Sequence, residues 1–231
     1  MRTWFPALCL AALATSPALA ATRNYSITSF DRVRVDGPFK VRLTTGVAPF
    51  ASAAGTPAAL DGVSLDVEGR TLIIRRNAST GSGYPGKPTG PVEINVGTHE
   101  LSQAWVNGSG TLAISRVKGL SFDLAMQGSG SAAIGDAAVD QLKVGISGAA
   151  SAAVSGTVSK LTALVRGASS LDAAGLSVKD AVVGAEGPAV VRVAVSNSAK
   201  IDARGTSSIE ISGNPACTVK SEGSTTVTGC R

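Results

Sequence analysis

The sequence predicts an all-β protein wound as a single-stranded parallel β-helix of about seven coils, each of 18–20 residues. Three observations predict it. A glycine recurs at a nearly constant interval through the second half of the chain. Apolar and polar residues alternate on both sides of each such glycine. No helical period persists beyond the first 20 residues. Composition agrees: hydrophobic residues make up 44% of the 231, enough for a core, yet aromatics are only 4% and there are 27 glycines. Small and β-branched residues suit stacked strands and tight corners better than long helices.

The recurring glycines are Gly108, Gly128, Gly148, Gly167, Gly187, Gly205 and Gly223, spaced by 20, 20, 19, 20, 18 and 18 residues. Counting from each glycine as zero, five columns are apolar. Position −2 holds Val106, Met126, Ile146, Val165, Ala185, Ala203 and Ser221. Position −4 runs from Ala104 to Val219, −6 from Ser102 to Cys217, +4 from Leu112 to Val227 and +6 from Ile114 to Gly229. Of these 35 slots, 32 hold Ala, Val, Ile, Leu, Met, Phe or Cys, so two short strands flank each glycine and point alternate side chains at one core. A coil of this size cannot bury its apolar face alone and must stack on a neighbour. Equivalent residues then form ladders about 4.8 Å apart. The polar column at −1 fits that register: Arg166, Glu186, Arg204 and Glu222 alternate in sign on successive coils, where like charges would repel. An antiparallel sandwich would need hairpin turns and would not repeat at one period. The bias of parallel crossovers makes a right-handed helix the expectation.

Residues 21–100 are β-rich but less regular, and are expected to form hairpin-like strands that start and cap the helix formed by residues 101–231. Phe30–Val35, Phe39–Leu43, Val63–Val67, Leu72–Arg75 and Val92–Val96 read as strands, with turns at Asp36-Gly37-Pro38 and Glu68-Gly69-Arg70. Asn77 to Pro91 reads as a loop. Residues 1–20 form a secretory signal peptide: Arg2, an apolar run from Trp4 to Thr15, and the small-x-small site Ala18-Leu19-Ala20, with a mature start at Ala21. No later stretch reaches the length of a membrane span. The chain is therefore expected in the periplasm, at the cell surface or outside a bacterium. Cleavage removes Cys9, and two cysteines left in an oxidising compartment are expected to pair as Cys217–Cys230. Cys217 lies in an inward column and Cys230 in an outward slot, so pairing needs the tail to bend back.

The strings FDRVRVDGPFKVRLTTG (30–46), VSLDVEGRTLIIRR (63–76) and PVEINVGTHELSQAWVNGSGTL (91–112), followed by GSG-type coils, resemble in their order the auto-transporter adhesin head GIN domain family, bacterial exported domains of unknown function. The resemblance covers about residues 28–230 and implies one continuous β-helical domain with an adhesin-like role. It brings no catalytic residues.

The chemistry of an enzyme is sparse. The only histidine, His99, lies in a loop-like GTHE stretch, so no second histidine or nucleophile elbow supports a triad. The Cys/His set is too small for structural zinc, and no cofactor motif is present. The nearest acid cluster is Asp172, Arg192 and Glu210, which share the outward +5 slot on three successive coils and read as a solvated salt-bridge ladder. The net charge of +5 is scattered and free of aromatic interleaving, which argues against nucleic acid and leaves a weak bias toward anionic envelope polymers. One residue stands out as a binding candidate. Trp105 occupies the outward −3 column, followed on the next coils by Ala125 and Gly145, and an indole over small residues makes a platform for a sugar ring. The alternative is that it packs under the N-terminal strands or the 77–91 loop, whose Tyr84 is either its cover or a second ligand contact. The function expected is a non-enzymatic binding module for an envelope glycan, polymer or protein. A self-assembling structural protein comes second and a polysaccharide-active enzyme third.

Overall fold

The alternation around each glycine does wind into stacked parallel coils, in a computed structural model that describes residues 21–77 and 90–230. The expected signal peptide and Tyr84 lie outside the described residues. The central strands are long because they bend around the coil without breaking: Val117–Gly128 (β10), Ser131–Gly148 (β11), Ser151–Gly167 (β12), Ser170–Glu186 (β13) and Val190–Gly205 (β14). They follow Gln103–Gly108 (β8) and Thr111–Ile114 (β9), and lead to Ser208–Ser212 (β15), Ala216–Gly223 (β16) and Thr226–Thr228 (β17). The corner glycines stack in register, Gly108 on Gly128 on Gly148 on Gly167. The predicted inward columns are buried from the coil of Gly128 to that of Gly205, and surface at Ser102 in the coil of Gly108 and again in the coil of Gly223, where Val219 is exposed.

The corners explain the glycines. Gly128 has φ +113°, and a Cβ there would stand 2.6 Å from the carbonyl oxygen of Gly108. The second glycine of the same corner, Gly130, would place a Cβ 2.5 Å from the carbonyl oxygen of Gly110. No side chain tolerates either approach, so both glycines are a packing requirement at this corner, whereas Ala150, Ser169, Ala189 and Ser207 take the second place in later coils.

Each coil has a third side that the glycine-centred columns do not show. Val117, Ala137 and Val139, Val158, Leu176 and Val178, and Val195 point inward from it and are buried. Its offset from the glycine shifts from coil to coil, because the register slips between Ile134 and Ala137, Ala153 and Gly156, and Ala173 and Ser177. The variation in coil length is absorbed at this corner, leaving the first two sides in step.

The N-terminal region departs from expectation. Arg32–Asp36 (β2) and Lys40–Thr45 (β3) flank Gly37 but do not pair as a hairpin. They form a coil of their own, parallel to β8 and β9, with Val35 opposite Val106 and Val41 opposite Leu112. Gly37, at φ +128°, is one more corner in the stack. On the outer side of that coil lie Thr71–Arg76 (β6) and Glu93–Thr98 (β7), again parallel to β2 and β3. Val63–Glu68 (β5) pairs with β6 as the expected antiparallel hairpin. Phe50–Gly55 (β4) pairs antiparallel with β7, and Ala21–Tyr25 (β1) with β4. A short helix, Pro57–Asp61 (α1), begins where Thr56 Oγ1 accepts from the Ala59 amide at 3.2 Å, and it buries Ala59 and Leu60 at the end of the core. The chain thus lays down one coil, builds the cap outside it, and crosses back to start β8. The crossing is pinned by the Ser102 amide donating to the Asp31 carbonyl at 2.8 Å, and by buried Thr98 donating to the Phe30 carbonyl. Coils therefore lie on both sides of residue 100, and the stack runs through it without interruption.

At the other end Cys217 and Cys230 are bonded, with Cα atoms 5.6 Å apart, so the tail does bend back.

Candidate functional site

Trp105 stands on β8, on the side of the coil that precedes the corner glycine. Its outward column reads, from the cap downward, Ile73, Arg34, Trp105, Ala125, Gly145, Leu164 and Gly184. The indole is half-buried, and two hollows open beside it. One, about 290 Å³, runs down the stack from Trp105 to Leu164, with Ala125 and Gly145 between them and Gln127, Ser147 and Arg166 along one bank. The other, about 410 Å³, lies on the cap side and is lined by Arg34, Ile73, Glu68, Thr71 and Asn107. The indole thus forms a wall common to both. Ala125 and Gly145 create the first hollow by lacking the side chains that would fill it.

The polar groups around Trp105 are held in place. Arg34 Nε lies 2.8 Å from Asp36 Oδ2, and Asn107 Nδ2 donates to Asp36 Oδ1 at 2.6 Å. Arg166 Nε lies 3.0 Å from Glu186 Oε2. These pairs are part-exposed and worth at most about 1 kcal/mol each, so they orient side chains more than they stabilise the coil. The alternating charges at −1 therefore meet as the spacing predicts for Arg166–Glu186, and more loosely for Arg204–Glu222 at 3.9 Å.

The other candidates do not converge on a site. Exposed His99 contributes only its carbonyl, which accepts from the Gly46 amide at 3.0 Å. Asp172, Arg192 and Glu210 are register partners, but Arg192 Nε is engaged with Glu210 Oε2 at 3.2 Å. Asp172 accepts from the Ala174 amide within its own turn at 3.2 Å. Of the expected ladder only the solvated Arg192–Glu210 pair forms, and Asp172 stays outside it. Among the described residues no group of three His, Cys, Asp or Glu side chains could hold a metal ion, and no helix is long and apolar enough to cross a membrane. Asp180 and Glu93, whose carboxyls sit below the ordinary range, lie away from Trp105. Asp180 is lowered by hydrogen bonds from Ser198 and Asn197, and Glu93 by Lys40. The cap-side hollow was not legible beforehand. Its residues come from β2, β5, β6 and β8, which meet only because the chain crosses over itself.

The stacked parallel strands define the chain as a β-solenoid. The family model described as "Putative auto-transporter adhesin, head GIN domain" matches residues 29–215, and the chain belongs to that family. Crystal structures of similar fold include a putative adhesin from Bacteroides fragilis, at TM-score 0.80 and 18% identity over 90% of this chain and 95% of that one. A putative lipid binding protein from Parabacteroides distasonis follows at TM-score 0.73 and 20% identity, with the same coverages. A putative adhesin from Parabacteroides merdae gives 0.69 and 15%, again over 90% and 95%. At these identities the likeness shows the shared fold. No curated protein matches the chain.

Proposed function

We propose that this protein is a non-enzymatic, adhesin-like binding module of the bacterial envelope, and that it holds a glycan against Trp105. The observation that carries the reading is the half-buried indole between two hollows, one of them floored by Ala125 and Gly145. An aromatic face stacks on the apolar face of a sugar ring, while Gln127, Ser147 and Asn107 are placed to exchange hydrogen bonds with its hydroxyls. Family membership and the names of the fold relatives support an adhesin-like role and an exported or surface location. The scattered acids support a binding role over hydrolysis, which needs carboxyl groups converging on one bond.

The test is binding of the mature chain, Ala21 to Arg231, to an array of envelope and host glycans beside the Trp105→Ala variant. The expected result is a glycan bound by the parent chain and lost by the variant, by at least about tenfold, the scale of an aromatic hot spot. Equal binding of neutral glycans by both proteins, or none by either, overturns the Trp105 site. Cleavage of any arrayed glycan overturns the non-enzymatic reading.

A further inference from the structure

The third side of the helix carries a second concave surface, independent of Trp105. It is a groove of about 600 Å³ whose lining comes from four successive coils and reaches Gly213 on the next, so its long axis follows the stack. Val139, Val158, Val178 and Val195 form an apolar floor, and Thr157, Ser159, Ser177 and Ser196 supply hydroxyls. No aromatic side chain lines it.

Its distinguishing feature is the charge beside it. Among the described residues, every arginine except Arg76 lies within ion-pair distance of a carboxylate, as do Lys40 and Lys220. The five remaining lysines have no such partner, and all five belong to this region. Lys118 heads the outward column that continues as Ala138, Thr157 and Ser177. Lys143, Lys160, Lys179 and Lys200 follow on four consecutive coils along the corner between the third side and the first. Lys179 lines the groove itself, and Lys160 and Lys200 line an adjoining hollow of about 510 Å³. Three carboxylates share the ridge. Asp140 is on the groove rim, Asp123 is the register partner of Lys143, and Asp180 is the register partner of Lys160, adjoins Lys179 and is hydrogen-bonded by Asn197 and Ser198 at 2.6 and 2.5 Å. Ammonium groups still exceed carboxylates, on coils only about 4.8 Å apart. The lysines occupy different columns rather than one ladder, and the excess of positive charge is spread along the ridge.

We propose that this ridge and groove bind a linear acidic polysaccharide lying parallel to the helix axis. The groove length fits a chain rather than a single sugar. Its hydroxyls match a polyol, and point-like ammonium groups at coil intervals match carboxylates repeated along a polymer. The lack of aromatics removes the stacking platforms that single-stranded nucleic acid requires.

The experiment titrates the mature chain with a polyuronate and with neutral dextran, at low and at physiological ionic strength. It compares Lys160→Glu/Lys179→Glu with a variant carrying Arg76→Glu, which alters an unpaired cation far from the groove. The polyuronate should bind, dextran should not, and added salt should weaken the binding. The double reversal should lower affinity at least about tenfold, because it replaces attraction by repulsion along the ridge. Arg76→Glu should leave it unchanged, and circular dichroism should show every variant folded. Three outcomes overturn the site: no polyuronate binding, equal loss with Arg76→Glu, or retention in the folded double variant. Tighter binding of polyphosphate or single-stranded DNA than of polyuronate overturns the ligand class.

Discussion

The coils from β10 to β14 and the capped end built by β1 to β7 use one geometry, but they are encoded differently. In the regular run each coil lies against its neighbours in sequence: Val144 faces Leu124 on one side and Ala163 on the other, about one repeat away in each direction. At the capped end Val35 faces Ile74 and Val106, and the coil between them is the earliest in the chain. Spatial neighbours there are distant in sequence, so no repeat is visible although the parallel register is equally strict. Side-chain size differs too. The later coils fill their interior with Ala163, Ala173, Ala181, Ala185, Ala199 and Ala203, whereas the capped end uses Phe30, Leu43, Leu72, Ile74 and Ile94. A ladder of small residues fills a narrow prism, while the closed end needs larger side chains to reach the axis. Long-range contacts also carry a greater loop-closure cost than contacts one repeat away, so the capped end is expected to order after the regular coils.

Substitutions can break or sharpen this contrast. The largest effect is expected from Phe122→Ala, which empties the largest fully buried side chain at the junction of the two regions and should cost about 3–5 kcal/mol in denaturant unfolding. Ile74→Ala should cost about 2–5 kcal/mol, and its fastest hydrogen exchange should appear in β2, β6 and β7 rather than in β12 and β13. Uniform loss of protection along the whole stack would show that the two regions unfold as one unit. Removing the disulfide by Cys217→Ser should cost up to about 3 kcal/mol, the loop-closure value for a short loop. Its effect should fall on β16 and β17, which are exposed already and depend on that bond for closure. Arg192→Ala should change stability by less than about 1 kcal/mol, as an exposed pair does, and a larger loss would show that Asp172, Arg192 and Glu210 act as a coupled network.

The smallest effect concerns pH. Hydrogen bonding and charge from Lys40 hold the Glu93 carboxyl below the ordinary range in the folded protein. A depressed carboxyl contributes stability above its unfolded pKa and loses it as pH falls through the folded value. Unfolding midpoints should therefore decline slightly less between neutral and acidic pH in Glu93→Gln than in the parent chain. Identical pH profiles would show that the pair is too solvated to register.

The comparison separates what was legible in the residues from what was not. Gly108 to Gly223 at steady intervals, with apolar residues at even offsets, could be read as stacked coils because each slot recurs in chemically similar form. The outward position of Trp105 followed from the same count, since strand side chains alternate with period two. The third side was hidden because its inward residues, such as Val117, Val158 and Leu176, slide relative to the glycine whenever a coil loses or gains a residue. The role of Gly37 was hidden for a different reason. An Asp-Gly-Pro turn between two alternating strands has the local pattern of a hairpin, and only pairing with β6 and β8 makes it a coil corner. The cap-side hollow and the lysine ridge also arise in space alone. One gathers residues brought together by the chain's crossing, and the other gathers on one flank lysines whose offsets differ from coil to coil. Local periodicity encodes which side chains face inward, because that depends on backbone alternation within one strand. Which outward side chains meet depends on the stacking register between strands, and the tertiary structure alone decides that register.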